Sequence, residues 1–361
     1  MGCAQAPNLA LEWPMRLHPV STLVCSVLLC ATLNAQLQIK KVTEPFGKTL
    51  DKALKESLLI QPGAKPFHIK LTISQSKSSD TTYSASIEET WVTPTEWVRT
   101  IRAMGVSETI VVNATGTHYV SSGDYLPAWL RGFVTGLFDP VPDVGEWNRT
   151  KPPVEHMETP RGNSSPCIHS EFFLGIPPVQ QINFANVCFK DGLVQLAQSS
   201  DYSMEFKDYT GFGKLKVPLT LISHRIRGVE LDGKIVTLEP AKVDANAFAT
   251  PPGAQDKDPF PITMLKADQL TTLAGGSILL PWPNITPGRG MFTSWVVLDT
   301  TGTVREVSTL NTDESGFAGD MTAKLLGQHW KPWVVDGQPV QAEGAVVFAY
   351  PPVAAPVATP K

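Results

Sequence analysis

The sequence predicts an α+β protein made of two β-rich domains of unequal size. Apolar and polar residues alternate with a period of two through most of residues 67–122 and again from 170 to 238, which is typical of antiparallel strands with one buried face. Helical spacing is confined to a few short segments. A polar stretch that contains Pro and Gly interrupts the alternation, so residues 241–271 are predicted to be a linker between the two domains.

The first predicted element is an amphipathic helix within residues 46–60. Leu50, Leu54 and Leu58 recur there at helical spacing, and the segment QPGAKP ends the pattern. From Phe67 the period changes to two, and short strands follow one another to residue 122, separated by turns that contain Pro, Gly or Asn. These strands are expected to form an antiparallel meander.

A second helix is predicted within residues 125–142. Trp129 and Phe133 lie on its wide apolar face, and Pro140 ends it. Such a helix would cover one face of a curved sheet. Strands resume after residue 166, and the sequence KDG at 190–192 predicts a tight hairpin turn.

This order of elements resembles the bacterial lipoprotein carriers of the LolA and LolB type. The segment W-V-x-P-x-x-W-x-R at residues 91–99 carries the likeness most clearly, because it places an aromatic residue on each arm of a strand pair. The resemblance spans residues 36–240 and implies a half-open antiparallel β-barrel with covering helices, whose interior holds acyl chains. It places four residues around an apolar cavity: Ile87, Trp91, Trp129 and Phe133. The alternative is that these side chains fill a packed core.

Residues 272–350 are predicted to form the smaller domain, with the order strand, strand, helix, strand, strand. The segment DTTGTV supplies the first turn and Asp336-Gly337 the second, on either side of a helix in ESGFAGDMTAKLLGQH. This order, with an aromatic-x-Pro segment at a fixed distance from a glycine and a valine, resembles the TonB C-terminal domain. Gln328 departs from that pattern, since the family has an aromatic residue there. The motif residues are Gly302, Val304, Trp330, Pro332, Gly337 and Val340.

The TonB resemblance implies that the strand GAVVFAY binds a partner protein by strand addition. The proline-containing tail, residues 351–361, cannot continue a ladder, so the outer edge of this strand would stay available to an extended peptide. The candidate partner-binding residues are Val346, Val347, Phe348 and Tyr350. Energy transduction of the TonB type is a further alternative, and it requires an inner-membrane anchor.

Residues 1–35 are predicted to be a secretory signal peptide, with Met15 as a second possible start. The apolar run at 19–31 has the length of a signal core, and LNA offers a cleavage site before Gln36. An uncleaved anchor and a lipidated Cys30 are the alternatives. In the mature chain Cys167 and Cys188 are then expected to form a disulfide, as is common in an oxidising compartment.

The sequence offers no sign of catalysis or of nucleic-acid binding. The formal net charge is −4, and no basic patch is evident. No nucleophile elbow, metalloprotease motif, phosphate-binding loop or dinucleotide fingerprint occurs. Cys167 with His169 would make a weak metal site, so no metal and no cofactor are expected. The predicted protein is a non-enzymatic periplasmic protein that binds an envelope protein through its C-terminal domain. The alternative is a carrier of lipid or lipoprotein acyl chains.

Overall fold

The structure is a computed structural model, and not every residue in it is described. It describes residues 40–41, 46–76, 82–141, 154–158, 165–174, 181–199, 202–224, 230–243, 246–275, 291–312 and 318–349. The predicted signal peptide, the tail 351–361 and Tyr350 lie outside these ranges. The described residues belong to one compact unit.

A large antiparallel sheet of thirteen strands occupies the first part of the described chain, as predicted. Its strands are β1 (Lys40–Lys41), β2 (Phe67–Gln75), β3 (Ala85–Thr93), β4 (Glu96–Ala103), β5 (Val106–Asn113), β6 (Gly116–Ser122), β7 (Val154–Glu158), β8 (Ser165–Leu174), β9 (Gln181–Lys190), β10 (Leu193–Ser199), β11 (Ser203–Phe212), β12 (Leu215–Ser223) and β13 (Leu231–Pro240). The spatial order is β1, β7 to β13, then β2 to β6. The pairing of β13 with β2 therefore joins two consecutive meanders into one sheet.

Two helices cover the apolar face of this sheet, and the core lies between the helices and the sheet. They are α1 (Phe46–Ser57) and α2 (Ala128–Phe138). In β2 the period-two alternation buries one side of the strand, where Phe67, Ile69 and Leu71 are fully buried. Helix α2 approaches the sheet closely because β13 has a glycine beneath it: a Cβ on Gly233 would lie 2.6 Å from the Phe133 ring.

The disulfide predicted between Cys167 and Cys188 is confirmed. The two residues face each other on the neighbouring strands β8 and β9, and their sulfur atoms are 2.01 Å apart. Both side chains are buried against Leu196. Because the bond uses both thiols, the alternative metal site with Cys167 and His169 is not supported.

A second, smaller sheet follows, with helices on one face. Its elements are β14 (Ile262–Met264), α3 (Ala267–Leu273), β15 (Met291–Leu298), β16 (Val304–Thr312), α4 (Ala318–Leu325), β17 (Trp333–Val335) and β18 (Gln338–Ala349). The spatial order is β14, β18, β15, β16, and β17 pairs with the start of β18. From β15 onward the elements have the predicted order strand, strand, helix, strand, strand.

The segment expected to be a linker has a definite structure in its described parts. Phe248 and Phe260 are buried, and the backbone of Gln255 bonds to Tyr119 on the edge strand β6, with N···O distances of 2.8 and 2.9 Å. Further along, β14 pairs in parallel with β18, and α3 begins at Ala267. The expectation of a linker rested on the lack of periodicity, but a segment that covers one sheet edge and extends another sheet needs little periodicity of its own.

None of the helices in the described part of the chain is long and apolar enough to cross a membrane.

Candidate functional site

The four residues expected to line a cavity lie in the packed core beneath α2. Ile87 and Phe133 are fully buried, and Trp91 and Trp129 are nearly so. Trp91 stacks on Phe67 with ring centroids 5.6 Å apart, and Trp129 meets the edge of Tyr83 at 5.7 Å. All four belong to one apolar cluster. This arrangement corresponds to the filled core that the sequence left open as an alternative.

A small cavity lies instead near the C-terminal ends of α1 and α2, where both helices meet strands β10 to β12. Its volume is about 20 Å³, enough for roughly one water molecule. The lining is mainly apolar and consists of Ser57, Leu58, Gly136, Leu137, Pro140, Val194, Phe206, Tyr209, Val217 and Pro218. The Tyr209 hydroxyl donates to the Val194 carbonyl oxygen at 2.5 Å, and burial raises the pKa of this tyrosine, so the lining carries no charge at neutral pH.

A charged group occupies the core side of the sheet near the end of α2. Arg99 donates through Nε to Glu89 at 2.5 Å, and its guanidinium lies 5.1 Å from the Trp97 ring centre and 4.4 Å from that of Phe138. Burial raises the pKa of Glu89, against the attraction of Arg99. On the neighbouring strand, burial raises the pKa of Glu108 to about 7; Asp258 adds to the effect and Arg99 opposes it.

The N-terminal end of α2 is bound by side chains of the small sheet. Glu306 accepts hydrogen bonds from the Tyr125 hydroxyl and, at 2.6 Å, from the backbone N–H of Ala128, the first residue of the helix. Gln341 accepts from the N–H of Leu126 at 2.7 Å and donates to the Leu126 carbonyl oxygen at 3.2 Å. Three backbone groups before and at the helix start, the N–H and carbonyl of Leu126 and the N–H of Ala128, are therefore bonded to two side chains that are far away in sequence.

An ion pair adds to this contact one turn further along α2. Arg131 binds Glu343 with both terminal nitrogens, at 2.7 and 3.3 Å, and only 22% of the arginine side chain is exposed. Burial alone would lower the pKa of Arg131, but the Glu343 carboxylate, together with Glu306 and Tyr125, raises the pKa above its ordinary value. The arginine is therefore charged at any ordinary pH. We refer to Glu306, Gln341 and Glu343, with the residues they bind in 125–131, as the α2 clamp.

Apolar contacts surround the polar ones. Ala128 packs with Trp295, Val297 and Ala345 on the face of the small sheet opposite its own helices, and Tyr125 and Leu310 lie against this cluster. Alternate residues of β18 thus pack into two different apolar clusters, one on each face of the small sheet. Ala342, Val346 and Phe348 pack beneath α3 and α4, whereas Ala345 faces α2.

Four of the six predicted C-terminal motif residues are brought together around the turn between β15 and β16. Gly302 has φ +84°, and a Cβ on it would lie 2.1 Å from the Trp330 carbonyl oxygen and 3.0 Å from the nitrogen of Pro332. The N–H of Val304 donates to Gln328 at 2.8 Å, and the Gln328 side chain accepts from the Trp330 indole at 3.1 Å. The remaining two motif residues lie in the second hairpin, Gly337 in its turn and Val340 paired with Trp333.

The strand expected to offer an open edge is an inner strand for part of its length. β18 pairs with β15 from Ala342 to Ala349, and on residues 341–343 it also pairs with β14. Val346 and Phe348 are buried in the core, and Val347 is half-buried. The expectation missed this because β14 comes from the segment that was taken to be a linker. Within the described residues, the part of β18 from Gly344 to Ala349 pairs with β15 alone.

The α2 clamp was not foreseen from the sequence, although two signals point to it. The segment YLPAW provides no side-chain cap at the start of α2, and the structure shows none from Pro127. Gln341 and Glu343 interrupt the otherwise apolar run from Pro339 to Ala349 at alternate positions, so both face the same way as Ala345. Polar residues on a buried strand face require hydrogen-bond partners. The unpaired N–H groups at an uncapped helix start can supply them.

Comparison with known proteins gives a limited set of likenesses. No protein-family model matches the chain, and no curated protein matches it. Solved structures similar to it include an outer membrane lipoprotein-sorting protein domain from Vibrio parahaemolyticus, with 10% identity, a TM-score of 0.31, and coverage of 56% of this chain and 94% of the other. A LolA superfamily protein from Nitrosomonas europaea has 11% identity and a TM-score of 0.33, covering 57% of this chain and 98% of the other. Both likenesses extend over about half of this chain.

Proposed function

We propose that this protein is a non-enzymatic carrier of the bacterial periplasm that holds an apolar chain, from a lipid or a lipoprotein, between α2 and the large sheet. The observation that carries the proposal is the uncharged cavity at the C-terminal end of α2, on a helix whose buried residues Phe133 and Trp129 pack against the sheet in one apolar cluster. The resemblance of residues 36–240 to the LolA and LolB carriers supports the same function.

The cavity is far smaller than an acyl chain, so binding requires α2 to move. A chain that entered at Leu137 and Val217 would take over the contacts that Phe133 and Trp129 make with the sheet. Each buried methylene contributes about 0.8 kcal/mol, so a long chain can offset the loss of one helix-to-sheet contact. The core then exchanges one apolar occupant for another without exposing the sheet to water.

The proposal is tested by probe binding to the purified protein, together with mass spectrometry of lipid extracted from it. A fluorescent fatty acyl probe should bind the wild-type protein. Leu137→Trp, which fills the cavity, should weaken binding by roughly tenfold or more, at a stability cost of about 1–3 kcal/mol from overpacking. Val236→Trp is the matched control, because Val236 is 57% exposed on β13. A wild-type protein that carries no lipid and binds no probe would rule out the carrier function.

A second candidate function is capture of an envelope protein by the small sheet, as the TonB resemblance implies. It is favoured by the length of β18, which extends from Gly344 to Ala349 beyond its pairing with β14. An extended peptide added there would bind through main-chain hydrogen bonds. Peptides that bind should lose affinity when alternate backbone nitrogens are methylated, and should tolerate side-chain exchange. The opposite dependence would exclude strand addition. A transducer function depends on an anchor in residues 1–35, which lie outside the described ranges.

A further inference from the structure

Helix α2 has no cap of its own at its N-terminus. The first N–H groups of any helix lack partners within the helix and need a side chain, water or ligand. Here the N-cap residue is Pro127, which makes no side-chain cap, and the first turn contains no acidic residue. A helix of eleven residues with such a start is expected to be marginal on its own.

The missing cap comes from the small sheet. Glu306, 178 positions after Ala128, accepts the Ala128 N–H, and its negative charge lies at the positive end of the helix dipole. Gln341 bonds to the backbone of Leu126 on both its N–H and its carbonyl oxygen. Glu343 holds Arg131, so the first turn is fixed as well. The position of α2 on the large sheet is therefore set in part by residues of the small sheet.

The clamp and the cavity lie at opposite ends of the same helix. The clamp holds residues 125–131, whereas Gly136 and Leu137 line the cavity. Near the cavity, α2 is held to the sheet by apolar contacts, which do not depend on one orientation. The C-terminal end of α2 is therefore held mainly by apolar contacts, which another apolar group can replace. The N-terminal end is held by directional hydrogen bonds and an ion pair to the small sheet.

We propose that the small sheet regulates access to the space beneath α2 through this clamp. An event at the small sheet that withdraws Glu306 or Gln341 from residues 125–128 removes the helix cap and favours displacement of α2. By thermodynamic linkage, a ligand that displaces α2 in turn weakens the clamp and alters the small sheet. The inference rests on the proposed function only for the identity of that ligand. That the small sheet holds α2 follows from the contacts alone.

The test is amide hydrogen exchange on the full chain with Glu306→Gln. The variant keeps the shape of the side chain and removes the charge at the helix start. Exchange in α2 should become roughly tenfold faster, because loss of the negative charge at the helix start weakens the local structure while the sheet keeps its stability. Strands β2 and β3 should exchange as in the wild-type protein. Glu96→Gln, an exposed carboxylate on β4, is the matched control and should leave α2 unchanged.

Tyr125→Phe provides a second, milder variant, because it removes one donor to Glu306 and keeps the ring in the apolar cluster. If Glu306→Gln fails to fold, this variant tests whether Glu306 holds α2. The same selective acceleration of amide exchange in α2 is expected. Unchanged exchange in α2 would overturn the proposal, and so would equal acceleration of α2, β2 and β3, since that reports global unfolding. Association of an acyl probe, measured in parallel, should be faster in the variants. Selective acceleration of α2 without any probe binding would support the clamp and reject the carrier function.

Discussion

Helix α2 touches two sheets, and the two contacts are of opposite chemical character. Towards the large sheet it presents Phe133 and Leu130, which are fully buried among apolar side chains. Towards the small sheet it presents backbone groups and Arg131, which meet two carboxylates and an amide. Apolar burial holds surfaces together but tolerates exchange of one occupant for another, whereas hydrogen bonds specify one position. The large sheet therefore holds α2 through apolar burial, and the small sheet fixes its position through hydrogen bonds and an ion pair.

The largest expected effect concerns the apolar contact. Phe133→Ala removes a fully buried ring against Gly233 and should lower the free energy of unfolding by about 3–5 kcal/mol. Val134→Ala on the same helix, at a partly buried position, should cost much less. Urea unfolding measures both. Similar costs for the two variants would show that α2 is not held to the large sheet through this face.

The ion pair of the clamp is expected to come next. Glu343→Gln leaves Arg131 charged and largely buried without its carboxylate, which should lower the free energy of unfolding by about 3 kcal/mol. Replacing both residues, with Arg131→Met beside Glu343→Gln, should recover much of the loss because no unpaired charge remains. Denaturant unfolding of the single and double variants tests this. A double variant no better than the single one would assign the cost to packing.

Stability should also depend on pH through Glu108, a buried carboxylate on β5 of the large sheet. Its pKa in the folded protein is raised from 4.5 to about 7, so the folded state holds this proton more tightly than the unfolded state. The protein should therefore lose stability as pH rises from about 4.5 to 7, by up to about 3 kcal/mol from this group. Glu108→Gln should remove that part of the slope. An unchanged slope would mean that other groups cause it.

The smallest expected effects concern two glycines with positive φ in the small sheet. Gly302→Ala strains the backbone and brings a Cβ against the Trp330 carbonyl oxygen, so it should cost about 2 kcal/mol or more. Gly337→Ala has a similar φ, +79°, but no neighbouring atom within 4 Å, and should cost about 1 kcal/mol. Thermal unfolding of the two variants distinguishes the cost of backbone strain, which both share, from the cost of the steric overlap at Gly302. Equal costs would mean that the turn at Gly302 yields to the added methyl group.

Local patterns in the sequence predicted most individual elements. The turn at Asp191-Gly192, the helices within 46–60 and 125–142 and the Cys167–Cys188 disulfide are all present. The missed features depend on residues far apart in the chain. β14 is only three residues long and is defined by its parallel partner β18, and the clamp joins residues 125–131 to 306–343. Such pairings leave little trace in the periodicity of either segment alone.

The site was predicted less well than the fold for a related reason. Aromatic residues at strand spacing are equally compatible with a wall around a cavity and with a filled core, and Trp91 and Trp129 fill the core. The open edge assigned to Val346 and Phe348 depended on which strand lies beside β18. Neither question can be decided from one strand, because both depend on what packs against it.

The distance in sequence between α2 and its cap has a consequence for the order of events during synthesis. Ala128 leaves the ribosome 178 residues before Glu306 does. At about 5–20 residues per second, that interval lasts roughly 10–40 s. Throughout it, the nascent chain contains the covering helix without the groups that fix its N-terminus, and β2 waits equally for β13. The newly made chain therefore exposes an apolar sheet face for longer than its folded form would suggest, and a binding partner present at that stage would find it accessible.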